Sequence, residues 1–530
     1  MPEVTINGKN IEVERGTTVL QAAQRLGIKI PHYCYHPRLS IAGNCRMCLV
    51  ELEKVPKLQT ACSTVCQDGM VVRTDTERVR NAVKGVLEFI LLNHPVDCPV
   101  CDQAGECGLQ NYYMEYGLQT SRFALEDKVH KDKAKYIGGL IMLDSERCIL
   151  CTRCIRYLRE IVGTDEMNIF GRGARSRIDV YPGKPLGNRY TGNLADICPV
   201  GALTEKEFRF QCRVWFMKAA KSICPGCARG CNMEIHYRGD RVYRLKPGLN
   251  DEVNGVWMCD IGRLTYKRAN ENRVEYPYWR EEGGPRRGDW DALTYTVAQR
   301  IKGIIAAHGP ESVGVIASPA SSNEELYLTK RLARKGVGTQ NLGITTENNG
   351  DPYHDEFLVI EDKNPNTKGA LELGIGPGEG GLDYQGILGA VRKGEIKALI
   401  VVGSHLGGMN GADLDEVLTK VGYIVNISPN ESPLSERSSV VLASASFAER
   451  EGTYTNFEGR VQRFFRAVSP SKGAREDIWI LEELAGKLGS PGGFKSSEEV
   501  FKEMGERVPF FRGLTYGSLG YYGTLVEERV

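Results

Sequence analysis

Cysteine placement constrains this chain more than any other feature. All 17 cysteines of the 530 residues lie between Cys34 and Cys259. Fifteen of them, with one histidine, fall into four sets: Cys34, Cys45, Cys48 and Cys62; His94, Cys98, Cys101 and Cys107; Cys148, Cys151 and Cys154 with Cys198 downstream; and Cys224, Cys227, Cys231 and Cys259. Each set contains a C-x2-C pair and supplies four donors, which leaves Cys66 and Cys212 without a place. Soft thiolates that converge on one centre cannot be laid out along regular helix or strand. They need irregular loops, which also let backbone N–H groups reach cluster sulfides. The first half is therefore expected to consist of small loop-built units around metal. A chain with four redox centres is expected to conduct electrons.

Compartment decides between ligands and disulfides. A hydrophobic share of 41%, a charged share of 25% and a net charge of +1 describe a globular chain without the basic excess that nucleic acid or anionic lipid would favour. The longest apolar runs, at 86–92 and 398–402, are far short of the 18 or more residues a membrane helix needs. The opening MPEVTINGKNIEVERG has no signal-peptide pattern. A cytoplasmic, reducing environment is expected, and there cysteines at this spacing are metal ligands.

Along the chain, 3–30 is expected to form a hairpin around Asn7-Gly8 and then a helix at 19–26, capped by Thr17 or Thr18 and stopped by Gly27. A cysteine loop and a strand at 49–53 follow, the order of a small β-grasp domain. An amphipathic helix over 76–93 delivers His94, and 98–117 is compact and turn-rich. A ferredoxin-like segment over 140–210 carries an insertion at 163–192 between its third and fourth cysteines. A small β-like unit covers 217–265, with strands at 233–237 and 242–245. After 272 no cysteine occurs, and helices at 294–308, 324–336 and 414–421 alternate with strands at 313–316, 397–402 and 423–427. That alternation predicts a parallel sheet with flanking helices. The stretch GIGPGEGG, 374–381, is expected to be a flexible loop.

The sets differ in what they predict. The first matches a [2Fe–2S] arrangement in which a loop gives three ligands and a later strand the fourth, with Gly43 easing the backbone past the metal. In the second, HPVDCPVCDQAGEC, His94 is the natural fourth ligand of a [4Fe–4S] cluster; an imidazole in place of a thiolate removes a negative charge and raises the potential. Structural zinc remains the alternative for both. The third set begins as C-x2-C-x2-C and predicts one [4Fe–4S] cluster. Cys198-Pro199 supplies the distant ligand, with Cys212 as the rival. Arg153 and Arg156, interleaved with the ligands, read as solvated or paired charges able to offset a cluster's negative charge. No strand-borne G-x-G-x-x-G is present, so neither NAD nor flavin is expected to bind.

The first set, with ten residues rather than four in its opening gap, resembles a variant found in NADH dehydrogenase large subunits and hydrogenase amino-terminal domains. The fourth set, CPGCARGC with VWMCDIGR, resembles the amino-terminal [4Fe–4S] segment of molybdopterin oxidoreductases. The likeness continues through EYPYWREEGGPRRGDWDALTYTVAQRI at 275–301 and through 436–465, which ends in the Gly-Thr-x-x-Asn-x-Glu-Gly-Arg pattern. Taken in order, the sets and the α/β half resemble the family of large iron–sulfur subunits of respiratory NADH:quinone oxidoreductase, complex I. The fourth set marks the bacterial type.

The resemblance implies a multidomain α+β and α/β chain. Its expected parts are a β-grasp [2Fe–2S] domain at 1–78, a histidine/three-cysteine [4Fe–4S] domain at 79–118, a [4Fe–4S] ferredoxin-like domain at 119–216, a molybdopterin-oxidoreductase-type [4Fe–4S] domain at 217–274 and a non-catalytic molybdopterin-oxidoreductase-like α/β domain at 275–530. It implies one [2Fe–2S] and three [4Fe–4S] clusters and no catalytic residue in this chain. Electrons would enter from an NADH-oxidising flavoprotein and leave to other iron–sulfur subunits on the way to quinone, with the fourth cluster off the main route. The complex, a translocase, would hold this chain peripherally on the cytoplasmic side of the plasma membrane, in indirect contact with the membrane arm. No molybdopterin is expected, because no cysteine follows Cys259 and the α/β half is short. The alternatives are an electron-transfer subunit of a soluble NAD-linked hydrogenase or formate dehydrogenase, and a molybdopterin-dependent catalytic subunit.

Overall fold

The computed structural model describes residues 1–117, 121–281, 284–345, 352–403, 406 and 411–526. The expected domain boundary at 118/119 and two residues of the 275–301 segment, Glu282 and Gly283, lie outside them. The chain divides into two compact units, Met1–Phe216 and Met217–Val530.

The first unit opens with the hairpin β1 (Glu3–Ile6) and β2 (Lys9–Glu12). Its two-residue turn has both centres left-handed, Asn7 at φ 49° and Gly8 at 80°, as the strand twist requires. Helix α1 (Val19–Arg25) starts at a capping box between Thr18 and Gln21. It buries Val19, Leu20, Ala22 and Ala23 against Val4, Ile6, Val50 and Val72. With β3 (Leu49–Leu52), β4 (Gln59–Thr60) and β5 (Met70–Arg73), the sheet runs β2-β1-β5-β3-β4, and β1 and β5 are parallel.

Thr76 caps α2 (Glu77–Leu91), which buries Val79, Val83 and Leu87. The stretch expected to be compact and turn-rich contains α3 (Gly108–Tyr116), nine residues long. Its amino cap is Cys107, which makes no side-chain cap bond, so the usual Ser, Thr, Asp or Asn start signal is missing. Then come β6 (Lys135–Tyr136), β7 (Ile141–Leu143), α4 (Arg153–Tyr157), the hairpin β8 (Met167–Phe170) and β9 (Arg177–Val180), α5 (Asn193–Ile197) and β10 (Leu203–Glu205). The insertion at 163–192 thus holds a hairpin, and α5 follows it. Strand β10 pairs with β7 and closes the segment carrying Cys198 back onto the one carrying Cys148.

The second unit starts with a three-stranded antiparallel sheet, β11 (Lys218–Ile223), β12 (Asn232–Arg238) and β13 (Arg241–Pro247). Short helices α6 (Asp260–Arg263) and α7 (Tyr266–Asn270) follow. The α/β part adds β14 (Tyr278–Glu281), β15 (Gly284–Arg287), α8 (Trp290–His308), β16 (Val313–Ala317), α9 (Asn323–Arg331), β17 (Leu342–Ile344), α10 (Thr367–Glu372), α11 (Tyr384–Arg392), β18 (Ala398–Val402), α12 (Gly411–Leu418), β19 (Tyr423–Ser428), α13 (Pro433–Arg437) and β20 (Val440–Ala443). Its sheet runs β15-β14-β20-β19-β18-β16-β17, five parallel strands with an antiparallel pair at one edge. Strands β16, β18 and β19 are buried along their whole length, which is why they read as apolar runs. The Gly-Thr-x-x-Asn-x-Glu-Gly-Arg stretch is a hairpin, β21 (Gly452–Thr455) to β22 (Arg460–Phe464), turned by Asn456, whose Oδ1 accepts the N–H groups of Glu458 and Arg460. Helix α14 (Asp477–Lys487) packs on α8 and α9. The glycine stretch 374–381 is a loop, as expected, but a tethered one. Arg334 donates to the Gly376 carbonyl, and the Gly378 N–H donates to that of Gln340.

Candidate metal centres

The structure brings together the four members of each cysteine set. In the first, the loop after α1 places Cys34 and Cys45, β3 is preceded by Cys48, and Cys62 follows β4. Sulfur contacts join Cys34 to Cys45 and Cys62, and Cys48 to Cys62. Hydrogen bonds from Cys45 and Cys62 drive the Cys34 thiol down, and the same sharing of protons drives Cys62 up. Arg46, inside the C-x2-C pair, is left-handed at φ 57°, and Gly43 stands at 62°.

In the second set, His94, Cys98, Cys101 and Cys107 line one cavity, walled by Leu91, Ala104 and Leu109. Burial pulls His94 down to about 4, so its imidazole is neutral, the form that ligates metal. The Val96 N–H donates to His94 Nδ1 at 3.0 Å, and Lys128 Nζ donates to the His94 carbonyl at 2.8 Å. Val96 has φ 53°, which a β-branched residue adopts only under constraint. Burial raises Cys107 to about 11, opposed by N–H groups of Gln110 and Leu109 aimed at its sulfur.

Cys148, Cys151, Cys154 and Cys198 line a cavity with Leu143, Val200 and Arg153. Leu150 and Thr152 are left-handed, at φ 54° and 61°. Left-handed residues alternating with right-handed ones turn successive N–H groups into one concavity, the nest that anions and iron–sulfur sites occupy. The Leu150 N–H lies 3.4 Å from Cys148 Sγ, and the N–H groups of Val200, Leu203 and Ala202 face Cys198. Burial pushes Cys148 to about 12 and Cys151 to about 11. Cys212, the rival ligand, lines neither this cavity nor the second and donates to the Arg213 carbonyl at 3.6 Å. Cys66 is packed in the β-grasp core.

In the fourth set, Cys224, Cys227 and Cys231 come from the β11–β12 connection, and Cys259 caps α6. Desolvation raises Cys224 and Cys231, each with the other three sulfurs of the set or two of them close by. The Gly262 N–H donates to Cys259 Sγ at 3.2 Å. A Cβ on Gly262 would stand 2.9 Å from Cys224 Sγ. The loop is braced from the hairpin β21–β22: Gln462 donates to the Gly230 carbonyl and Asn456 to that of Arg229.

Zinc and a polynuclear group set different demands on these donors. Four thiolates around a zinc would stand about 3.8 Å apart, given Zn–S bonds of about 2.3 Å. The second and third sets instead ring cavities, with backbone N–H groups directed at the sulfurs.

Within the first unit, close contacts join the first set to the third and the third to the second, and Tyr33, beside Cys34, also reaches the second set at Cys107 and Gly108. Arg156 donates both to the Cys34 carbonyl at 2.6 Å and to that of Cys151 at 3.3 Å, and Asn44 donates to the Leu150 carbonyl. Between third and second, Arg147 beside Cys148 makes a two-pronged bond to Asp97 beside Cys98, at 2.9 and 2.6 Å. Gly201, just past Cys198, is so close that a Cβ there would lie 2.3 Å from Cys101 Sγ. Sequence reasoning missed Arg147, Asp97 and Gly201, and the left-handed Arg46, Leu150 and Thr152. The first two betray themselves only by adjoining a ligand, and the last three belong to no residue class that favours φ above zero.

Five family models match the chain: a 2Fe-2S iron-sulfur cluster binding domain over residues 2–77, an NADH-ubiquinone oxidoreductase-G iron-sulfur binding region over 84–122, the ferredoxin-like domain of NADH-quinone oxidoreductase subunit 3 over 138–204, a molybdopterin oxidoreductase Fe4S4 domain over 217–271, and molybdopterin oxidoreductase over 273–362 and 338–487. The G subunit of NADH-quinone oxidoreductase from Rickettsia felis is 32% identical, across 97% of this chain and 92% of its own length. The mitochondrial NADH-ubiquinone oxidoreductase 78 kDa subunit of Candida albicans is 30% identical across 96% of this chain and 85% of its own. That of Neurospora crassa is 41% identical across 64% of this chain and 46% of its own.

Proposed function

The chain belongs to the family of NADH-quinone oxidoreductase G subunits, and from that membership we propose which residues carry its electrons and in what order. It is an electron-transfer subunit of a multi-subunit, membrane-associated oxidoreductase, with 2Fe-2S and 4Fe-4S binding domains. No helix among the described residues is long and apolar enough to cross a membrane.

The observation that carries the proposal is the convergence of donors into four sets of four. Cys34, Cys45, Cys48 and Cys62 hold a [2Fe–2S] cluster. His94, Cys98, Cys101 and Cys107, then Cys148, Cys151, Cys154 and Cys198, then Cys224, Cys227, Cys231 and Cys259 each hold a [4Fe–4S] cluster. When bound, such clusters take up and release single electrons and make no bonds to substrate. The protein's part is to hold them, direct N–H groups at their sulfurs and exclude water. The route we assign runs from the first set through the third to the second. Arg156 and Asn44 support the first step, and the Arg147–Asp97 pair with Gly201 supports the second. Partners are an NADH-oxidising flavoprotein on one side and a further iron–sulfur subunit on the other, with the complex at the cytoplasmic face of the plasma membrane.

The α/β part carries no molybdopterin in this reading. The amino end of α9, where an anion would dock, is closed by its own capping box of Ser322 and Glu325 and by buried Glu324. In the glycine stretch, the N–H groups of Gly374, Gly378 and Gly381 donate to the chain's own carbonyls.

Metal analysis of the purified complex should give about 14 iron atoms for this chain. Stoichiometric molybdenum or tungsten in it would refute the pterin statement, and zinc at the expense of iron would refute the ligand sets. Replacing His94→Cys should alter the reduced-state EPR signal of one [4Fe–4S] cluster and lower its potential, since a thiolate adds negative charge. An unchanged spectrum removes His94 from the set.

A further inference from the structure

Resting on the reading of the first and third sets as iron–sulfur sites, we propose that Arg153 and Arg156 form a cationic bracket shared by both. The bracket raises the reduction potential of each site and fixes the gap between them. Both side chains leave α4, among the ligands Cys151 and Cys154. Arg153 donates to the Tyr35 carbonyl at 2.6 Å, next to Cys34, and to the Ile197 carbonyl at 3.1 Å, next to Cys198. Arg156 donates to the carbonyls of Cys34, Cys151 and Ser40 and to the Thr152 hydroxyl. Every one of these partners is neutral, and among the described residues no carboxylate pairs with either guanidinium.

The Arg153 guanidinium is largely withdrawn from water without a counter-charge, which is costly, and carbonyl dipoles offset only part of that cost, whereas Arg156 stays half-exposed. The missing negative charge is available on two sides, from the thiolates of the two sets. Arg153 also lines the cavity ringed by Cys148, Cys151, Cys154 and Cys198, and its Nε is buried without a hydrogen-bond partner. That orphaned donor has a natural acceptor in a thiolate or sulfide of the third site. Each reduction adds one negative charge, so a fixed positive charge at this range favours the reduced form of either site. The planar fork is rigid, which lets one side chain tie two ligand loops at a set distance.

The test uses the purified complex with redox titration followed by EPR, comparing the parent with Arg153→Met, Arg156→Met and the two corresponding Lys variants. In iron-replete Arg153→Met and Arg156→Met, the potentials of the [2Fe–2S] cluster and of the four-cysteine [4Fe–4S] cluster should both fall. The fall should amount to at least a tenfold change in each one-electron equilibrium, about 59 mV. The Lys variants should recover most of it. Potentials unmoved in an iron-replete Met variant overturn the proposal. If both Met variants lose these two clusters, retention in the Lys variants supports charge as the required property, and loss in all four overturns it in favour of a neutral clamp. Absence of the two signals from the parent itself would sink the ligand sets, a different failure from that of the bracket.

Discussion

Gly201 shows how a single missing atom positions a metal site. It adjoins the third set in sequence yet faces the second in space, and a Cβ there would overlap Cys101 Sγ at 2.3 Å. Gly201→Ala should therefore cost the His94 site its cluster, about four iron atoms per chain, while the other EPR signals persist. Retention of full iron would show that Cys101 can shift. At this scale the candidate donor sets were legible because C-x2-C spacing is a property of neighbouring residues. The contacts between sets were not. Arg147 and Asp97 are 50 positions apart, and the sequence carries no mark of their bond. Arg153 and Arg156 were legible as charges near ligands, but solvated or paired ones were expected, and the fold gives them carbonyl partners instead.

Among the elements, α9 carries the least expected chemistry. Burial raises Glu324 to about 7, although Thr453 donates to it through N–H and hydroxyl and Tyr516 through its phenol. In the unfolded chain the group titrates near 4.3. Between those values the unfolded state loses its proton first, so its contribution is fully present below about pH 4 and is lost as pH rises through about 7. Denaturant unfolding should show the second unit losing roughly 1–3 kcal/mol from pH 5 to 8 through this group. Glu324→Gln should flatten that slope, and an equal slope in the variant would exclude Glu324 as its source. Periodicity revealed α1, α2 and α8 because each has a capped start or a clear apolar face. It missed α3, where Cys107 stands in the cap position and Leu109 alone is buried. It also missed β14 and β15, a short polar edge pair.

For the molecule as a whole, the two units rest on different supports. The α/β part has a continuous core around Val315, Ile400, Val425 and Leu442 that needs no metal. The stretch from His94 to Cys198 is loops, short helices and short strands gathered around two sites. Chelation of iron should expose that stretch to protease first, with mass spectrometry finding early cuts between 94 and 198 and late ones beyond 290. Simultaneous digestion of both regions would contradict this division. The α/β class was legible in the alternation of apolar runs with amphipathic ones. The five-strand parallel order β17-β16-β18-β19-β20 was not, since nothing local tells a strand which neighbour it will meet.

The spread of the third set along the chain also bears on synthesis. The first two donor sets are complete once Cys107 has left the ribosome, but the third waits for Cys198, 44 residues beyond Cys154. At translation rates of about 5–20 residues per second, Cys148, Cys151 and Cys154 spend seconds as an open trio of thiols. The third donor set is thus the last of the first unit to be completed, and its thiols stand open longest while the protein is being made.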